Sequence, residues 1–195
     1  KIVDNYDLPQ NISVITHNNK LSFLRKVFSL SFFLSKVFFK EYFYIKNVLN
    51  LPVTLYKLKV MLIEWSKSVL LYNNVISLLK NINSGDNIYL YSYWNDYKSI
   101  SISLLKDYSS DFIAFSRAHR SDIYYEVNYQ NYVPLKGFVF LKIDKLFFIS
   151  NHSYNYINQL TTNKYYHKFS ISKLGTLKGT KSPTLNQNSK NCLNI

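Results

Sequence analysis

Three short segments of this chain combine side chains that can bind a polar ligand or move a proton: Tyr91-Ser-Tyr-Trp-Asn-Asp96, Ser116-Arg-Ala-His-Arg-Ser-Asp122 and Ser150-Asn-His152. The middle one stands out. Only three Arg occur among the 24 basic residues, and two of them, Arg117 and Arg120, bracket His119. In a chain that otherwise uses Lys, two retained guanidinium groups point to a need for planar, forked donors. Recognition of phosphate or sugar hydroxyls is such a need. His119 can act there as an acid, a base or a hydrogen-bond donor. Asp122 can orient it or cap the turn after the strand. Tyr93, Trp94 and Ser150 belong to the neighbouring segments and can line the same cleft. The plainer alternative is a loop whose His and Arg only satisfy backbone carbonyls.

Each segment follows a short apolar run, and the runs alternate with helical patterns. Asn87–Ser92, Phe112–Ser116, Lys145–Ser150 and Lys168–Ser172 are expected strands. Between them lie a helix capped by Asn95 or Asp96 and running through Tyr108, one from Pro134 to Ile143, and one from Ser153 to Tyr165. This order predicts an α/β fold, a Rossmann-like parallel sheet flanked by helices on both faces. In such sheets ligands sit at the carboxyl ends of the strands, where the three segments fall. Upstream, Ile12–Ile15 is expected to form a short strand. A helix over 21–47 places Leu24, Phe28, Phe32 and Phe39 near one face. Asn50-Leu-Pro52 breaks it, and Pro52 suits the first turn of a second helix reaching Leu79. That helix carries Leu55, Leu58, Leu62, Trp65, Val69 and Tyr72 at intervals of three and four. Residues 178–190 have the composition of a linker, and 191–195 of the start of another strand, so the domain is expected to span 1–177.

The chain has 195 residues, enough for one domain with a core, and 47% apolar content excludes a mostly disordered chain. The 18 Tyr and 14 Phe, with abundant Lys, Asn and Ile, fit AT-rich coding. The net charge is +13, and it is concentrated: residues 20–80 hold nine Lys and Arg25 against only Glu41 and Glu64. This basic, aromatic helical pair either docks on an anionic membrane surface or buries its apolar faces and leaves the Lys solvated. Single-stranded nucleic acid is the partner of a different kind that such a composition allows. It is not expected, because the aromatics follow core periodicity and no zinc or RNP-like spacing occurs. A lone cysteine, Cys192, excludes an internal disulfide and fits a reducing compartment. The opening Lys1-Ile-Val-Asp lacks the pattern of a signal peptide, and Arg25, Lys26 and Lys36 interrupt the longest apolar stretch. A cytoplasmic protein, peripheral on the inner face of the cell membrane, is expected.

Ser116-Arg-Ala-His-Arg-Ser-Asp-Ile-Tyr124 resembles the S-R-x-H-x-x-D-x-Y segment of a subgroup of retaining glycosyltransferases, family 4 of the GT-B fold. The likeness continues in order through Leu90-Tyr-Ser-Tyr-Trp94, Tyr132-Val-Pro-Leu-Lys136, Asp144-Lys-Leu-Phe-Phe-Ile-Ser150 and Ile171-Ser-Lys-Leu-Gly175. It covers residues 84–195. The resemblance implies the N-terminal, acceptor-side half of a GT-B fold, incomplete because its first strand–helix unit is missing. Such enzymes move a sugar with retention from a nucleotide sugar to a glycan or lipid-linked acceptor. They serve bacterial cell-surface polysaccharide or lipopolysaccharide synthesis. No metal or other cofactor is implied, and the chain has no Asp-x-Asp pair to hold a divalent cation. His119 matches the family histidine beside the transferred sugar. Arg117, Arg120, Asp122, Tyr93, Trp94 and Ser150 are the implied substrate contacts.

Two departures bear on activity. None of Gly85, Gly137, Gly175 and Gly179 lies in a glycine-rich phosphate loop, and the E-x-x-x-x-x-x-x-E donor motif is absent. The expectation is that this chain alone binds a nucleotide sugar poorly and transfers nothing. A non-catalytic basic binding module is the alternative.

Overall fold

The computed structural model describes residues 29–79, 88–109 and 111–174. The strand expected at 12–15, the first helix before residue 29, the turn at 83–86, the linker at 178–190 and the strand at 191–195 lie outside them. A 3-10 turn (Ser29–Leu34) leads into α1 (Lys36–Asn47) and α2 (Leu55–Leu79). Then follow β1 (Tyr89–Ser92), α3 (Tyr97–Tyr108), β2 (Ile113–Ala118), α4 (Arg120–Ile123) and α5 (Lys136–Lys142). β3 (Lys145–Phe148), α6 (Asn151–Leu160) and β4 (Phe169–Ile171) complete the order. The strands form one parallel sheet in the order β1-β2-β3-β4, and helices flank it. This is the α/β, Rossmann-like architecture that the alternation of strand and helix predicts.

The covering of the sheet differs from expectation. Leu90 and Ser92 pair with Ala114 and Ser116, and Ser116 and Ala118 pair with Leu146 and Phe148. These residues therefore share one face. Ala118, Leu146, Phe148 and Phe169 pack there with Phe140 of α5 and Ile157 of α6. Ala114 packs on the same face with Ile100 and Leu105 of α3 and Val139 of α5. Full burial of a residue such as Phe148 contributes roughly 1.5–3 kcal/mol. Both described clusters thus lie on one side rather than two. The opposite face carries exposed Tyr89 and Tyr91 and half-buried Phe115, Arg117 and Phe147. Sequential parallel strands joined by right-handed crossovers deposit every crossover helix on the same side, which explains the asymmetry.

The helical pair also departs from its apolar periodicity. Ser35 caps α1, its Oγ accepting the Phe38 N–H at 3.1 Å, so the expected continuous helix is broken there. The break rotates the register: Phe32 is buried and Phe39 exposed. Pro52 stays outside α2. Its carbonyl accepts from the Lys57 ammonium (2.8 Å), while the Thr54 carbonyl accepts the Leu58 N–H at 3.0 Å and opens the helix. Leu55, expected in the apolar stripe, is 85% exposed. The buried positions of α2 are instead Lys57, Met61, Ser66, Ser68 and Leu70, and α3 answers with Ser99, Ser101 and Ser103. Small side chains let these two helices approach, and most of the hydroxyls are satisfied within the pair, the buried Ser101 Oγ being left without a partner. Ser66, Ser68 and Ser103 donate to the carbonyls four residues back at 2.6, 2.6 and 2.7 Å. Ser68 also donates across to the Tyr97 carbonyl at 2.9 Å. Glycine makes a second close approach: a Cβ on Gly137 of α5 would stand 3.0 Å from the Tyr44 ring of α1.

Candidate functional site

Asp96 caps α3 by accepting the Lys98 N–H at 2.9 Å, and this holds the Tyr93-Trp94-Asn95 turn against the end of β1. Beside it, β2 runs through Arg117 and Ala118 before the chain turns at His119 into α4. Arg117 is therefore a strand residue, not a loop residue. Its Nη2 donates to Ser172 Oγ beyond β4 at 3.1 Å, and its guanidinium lies 5.9 Å from the Tyr93 ring centroid.

His119 is only 8% exposed. Its ring sits against Trp94 (centroids 4.2 Å) and Tyr93 (5.0 Å). Nε2 lies 3.1 Å from the Tyr93 carbonyl. A carbonyl only accepts, so Nε2 carries the proton and donates it. For this nitrogen the plainer expectation, service to a backbone carbonyl, describes the geometry. Asp122 ties the two turns together: Oδ2 accepts the His119 N–H at 3.2 Å and the Asn95 N–H at 3.0 Å. Thus Asp122 holds the backbone around His119 and caps α4, rather than orienting the imidazole directly.

A lysine completes this network. Lys136, at the start of α5, is 1% exposed and its ammonium donates to the Asn95 carbonyl. Burial pushes it below the ordinary lysine range, and the Asp122 carboxylate pulls it part of the way back. Behind it Glu41 of α1 is fully buried, and its Oε1 accepts from the Tyr132 hydroxyl and the Leu135 N–H, both at 2.8 Å. Leu135 holds a left-handed backbone (φ 59°), strained for a leucine, and Glu41 pins it. Desolvation raises the Glu41 carboxyl from 4.5 to about 7 against the opposing pull of those hydrogen bonds and of Lys136.

No protein-family model, curated protein or solved structure matches this chain at a significant level. Among the described residues, no group of three or more His, Cys, Asp and Glu is placed to hold a metal ion.

The other face of α4 is open. A cleft of about 360 Å³ lies between α4 and the carboxyl end of β3, lined by Arg120, Tyr124, Glu126, Ser150 and His152 over Ile123 and Ile149. Arg120 and Ser150 thus meet here, while Arg117, His119, Asp122, Tyr93 and Trp94 gather on the far side of α4. Ser150 is also the N-cap of α6, its Oγ accepting the Ser153 N–H at 3.2 Å. The Tyr124 hydroxyl and His152 Nδ1 are 2.5 Å apart, and the Tyr156 hydroxyl donates to Glu126 at 2.7 Å. Burial, and then that bond, push the Tyr156 hydroxyl up to about 12. A neighbouring cleft of about 240 Å³ opens over Asp96, Asp122, Tyr132 and Lys136.

Sequence reasoning singles out neither Lys136, Glu41, Glu126 nor His152 as a site residue. His152 stands in the third strand-end segment, and that position was the available signal. Lys136 is one lysine among 21, and nothing local marks it as buried.

Proposed function

We propose that this chain is the acceptor-side half of a retaining GT-B glycosyltransferase. It works with a second domain that brings a nucleotide sugar to the carboxyl edge of the sheet. The observation that carries this reading is the His119 turn. It lies at the carboxyl end of a parallel strand, its backbone held by Asp122, which also accepts from the Asn95 N–H while Lys136 bonds the Asn95 carbonyl, and beside an open cleft with hydroxyl-binding side chains. In this role His119 packs against the transferred sugar, Arg117 and Arg120 supply forked donors to phosphate or hydroxyls, and Asp122 keeps the turn in place. The acceptor is a glycan or a lipid-linked sugar of cell-surface polysaccharide or lipopolysaccharide synthesis. The test is sugar transfer from a panel of radiolabelled nucleotide sugars by the full-length gene product. His119→Ala is expected to lower kcat about 100-fold. No transfer from any donor, or an undiminished His119→Ala rate, refutes the proposal.

A second reading has one observation in its favour. α1 exposes Phe39 and Phe43 beside Lys36, Lys40 and Lys46, a pattern suited to the anionic inner leaflet of a membrane. No described helix is long and apolar enough to cross a membrane. A non-catalytic module docked on that surface would sediment with anionic liposomes and not with neutral ones. Equal sedimentation with both removes the docking.

A further inference from the structure

The cleft between α4 and β3 has a lining unlike that of the His119 side. Its floor is apolar, made by Ile123 and Ile149, and the Tyr124 ring forms one wall beside His152 (centroids 5.4 Å). The rim carries an acceptor and donors together: the Glu126 carboxylate, the Arg120 guanidinium, the Ser150 hydroxyl and the His152 imidazole. With the Tyr124 hydroxyl donating to Nδ1, the neutral His152 ring bears its proton on Nε2 and offers a further donor. Glu126 is steadied by the Tyr156 hydroxyl, which also accepts the Tyr125 N–H at 3.2 Å.

This pattern matches a pyranose ring. One face of such a ring is a patch of C–H groups that packs on aromatic and aliphatic surface. Its edge is a row of hydroxyls, each donor and acceptor at once. A carboxylate that accepts and a guanidinium that donates serve neighbouring hydroxyls together. A carboxylate or phosphate ligand would use Arg120 but meet Glu126 as a like charge. The volume lies at the small end of the ~300–1,000 Å³ range of ligand clefts, room for a single sugar and part of its substituent.

We propose that the cleft formed by Arg120, Tyr124, Glu126, Ser150 and His152 binds a neutral hexose, the terminal sugar of the acceptor. The role as acceptor site rests on the transferase proposal above; hexose binding does not. Arg120 follows His119 directly, so a sugar in the cleft lies next to the turn that holds the donor side.

The test is a titration of the 195-residue chain with methyl α-glucoside, methyl α-galactoside, glucuronate and inorganic phosphate, followed by NMR. One of the two hexosides is expected to bind with a millimolar Kd and to shift the His152 imidazole signals. Glu126→Gln and His152→Ala each weaken it about tenfold, as loss of one well-placed polar contact does, with unchanged circular dichroism. Both side chains are exposed, so folding is not at stake. Failure of both hexosides to bind overturns the proposal, as do wild-type affinity in both variants and tighter binding of glucuronate or phosphate. In the full-length protein, an acceptor KM unchanged by both variants overturns the acceptor role while transfer continues. Hexose binding in a full-length protein that transfers no sugar overturns the transferase reading and leaves the cleft.

Discussion

His119 and His152 follow successive strands of one sheet, and their surroundings are opposite. His119 is packed between Tyr93 and Trp94, with Nε2 on a carbonyl and its own N–H held by Asp122. His152 is exposed, bonded through Nδ1 to a tyrosine hydroxyl, and open to a cleft. The short α4 separates them. The difference teaches that a strand-end histidine can be held on most sides by the protein or stand open to solvent, and that residue type alone does not separate the two. On the His119 side the imidazole and the turn N–H groups are bonded within the protein, while Asn95 Nδ2 and Arg117 Nε are buried without a partner in it. On the His152 side polar groups face the cleft, and satisfaction is left to water or a ligand.

Stability measurements can break this comparison. The largest effect is expected for Asp122→Ala, which strips the acceptor from two buried N–H groups and the nearest countercharge from Lys136. About 3 kcal/mol or more should be lost in urea unfolding. A loss below 1 kcal/mol, roughly the worth of one ordinary hydrogen bond, would deny that the network holds the turns.

Glu41 gives the next effect, and its sign is opposite to that of a usual carboxylate. Its folded value of about 7 lies above its ordinary 4.5. The neutral form is the one the fold prefers, so its contribution is whole below 4.5 and fades as pH rises through 7. Stability should therefore fall by about 3 kcal/mol across that window. Glu41→Gln keeps the hydrogen bond to Leu135 without the charge, and should flatten the curve. A wild-type curve that is flat or rises over this range would remove the buried, neutral carboxyl from the account.

His119→Ala forfeits two ring contacts and one hydrogen bond, for about 2 kcal/mol. His152→Ala should stay within about 0.5 kcal/mol, as exposed substitutions do. The comparison stands on the gap between these two. Equal losses in thermal unfolding would make the histidines equivalent and the division by α4 meaningless.

Much of the fold was legible because it rests on local signals. Short apolar runs mark all four strands, and Asp96 announces α3 by capping it. What escaped depends on partners far along the chain. Glu41 is buried because Tyr132 and the strained Leu135 turn, more than 90 residues away, need its oxygen. Ser66 and Ser68 lie outside the apolar stripe expected for α2, yet they are among its buried positions. A hydroxyl bonded to its own helix behaves as a small, neutral group. Ser35 breaks the helix expected over 21–47 through one cap in a run of Phe and Leu that otherwise supports a continuous helix. Within the site, the three-residue spacing of His119 and Asp122 exposes their relation, because it is that of a helix cap. That Ser150 stands apart from Tyr93 and Trp94 was not visible. It depends on where α4 falls between the strand ends, and only the packing decides that.

The order β1-β2-β3-β4 is the same along the chain and across the sheet. Among the described residues, each strand finds its partner one crossover away, and no strand is inserted between two that precede it. Parallel sheets are slow to assemble when their central strands must be closed over from both ends of the chain. Among these four strands growth is one-directional: each adds to the edge left by the last, in the order in which synthesis delivers it.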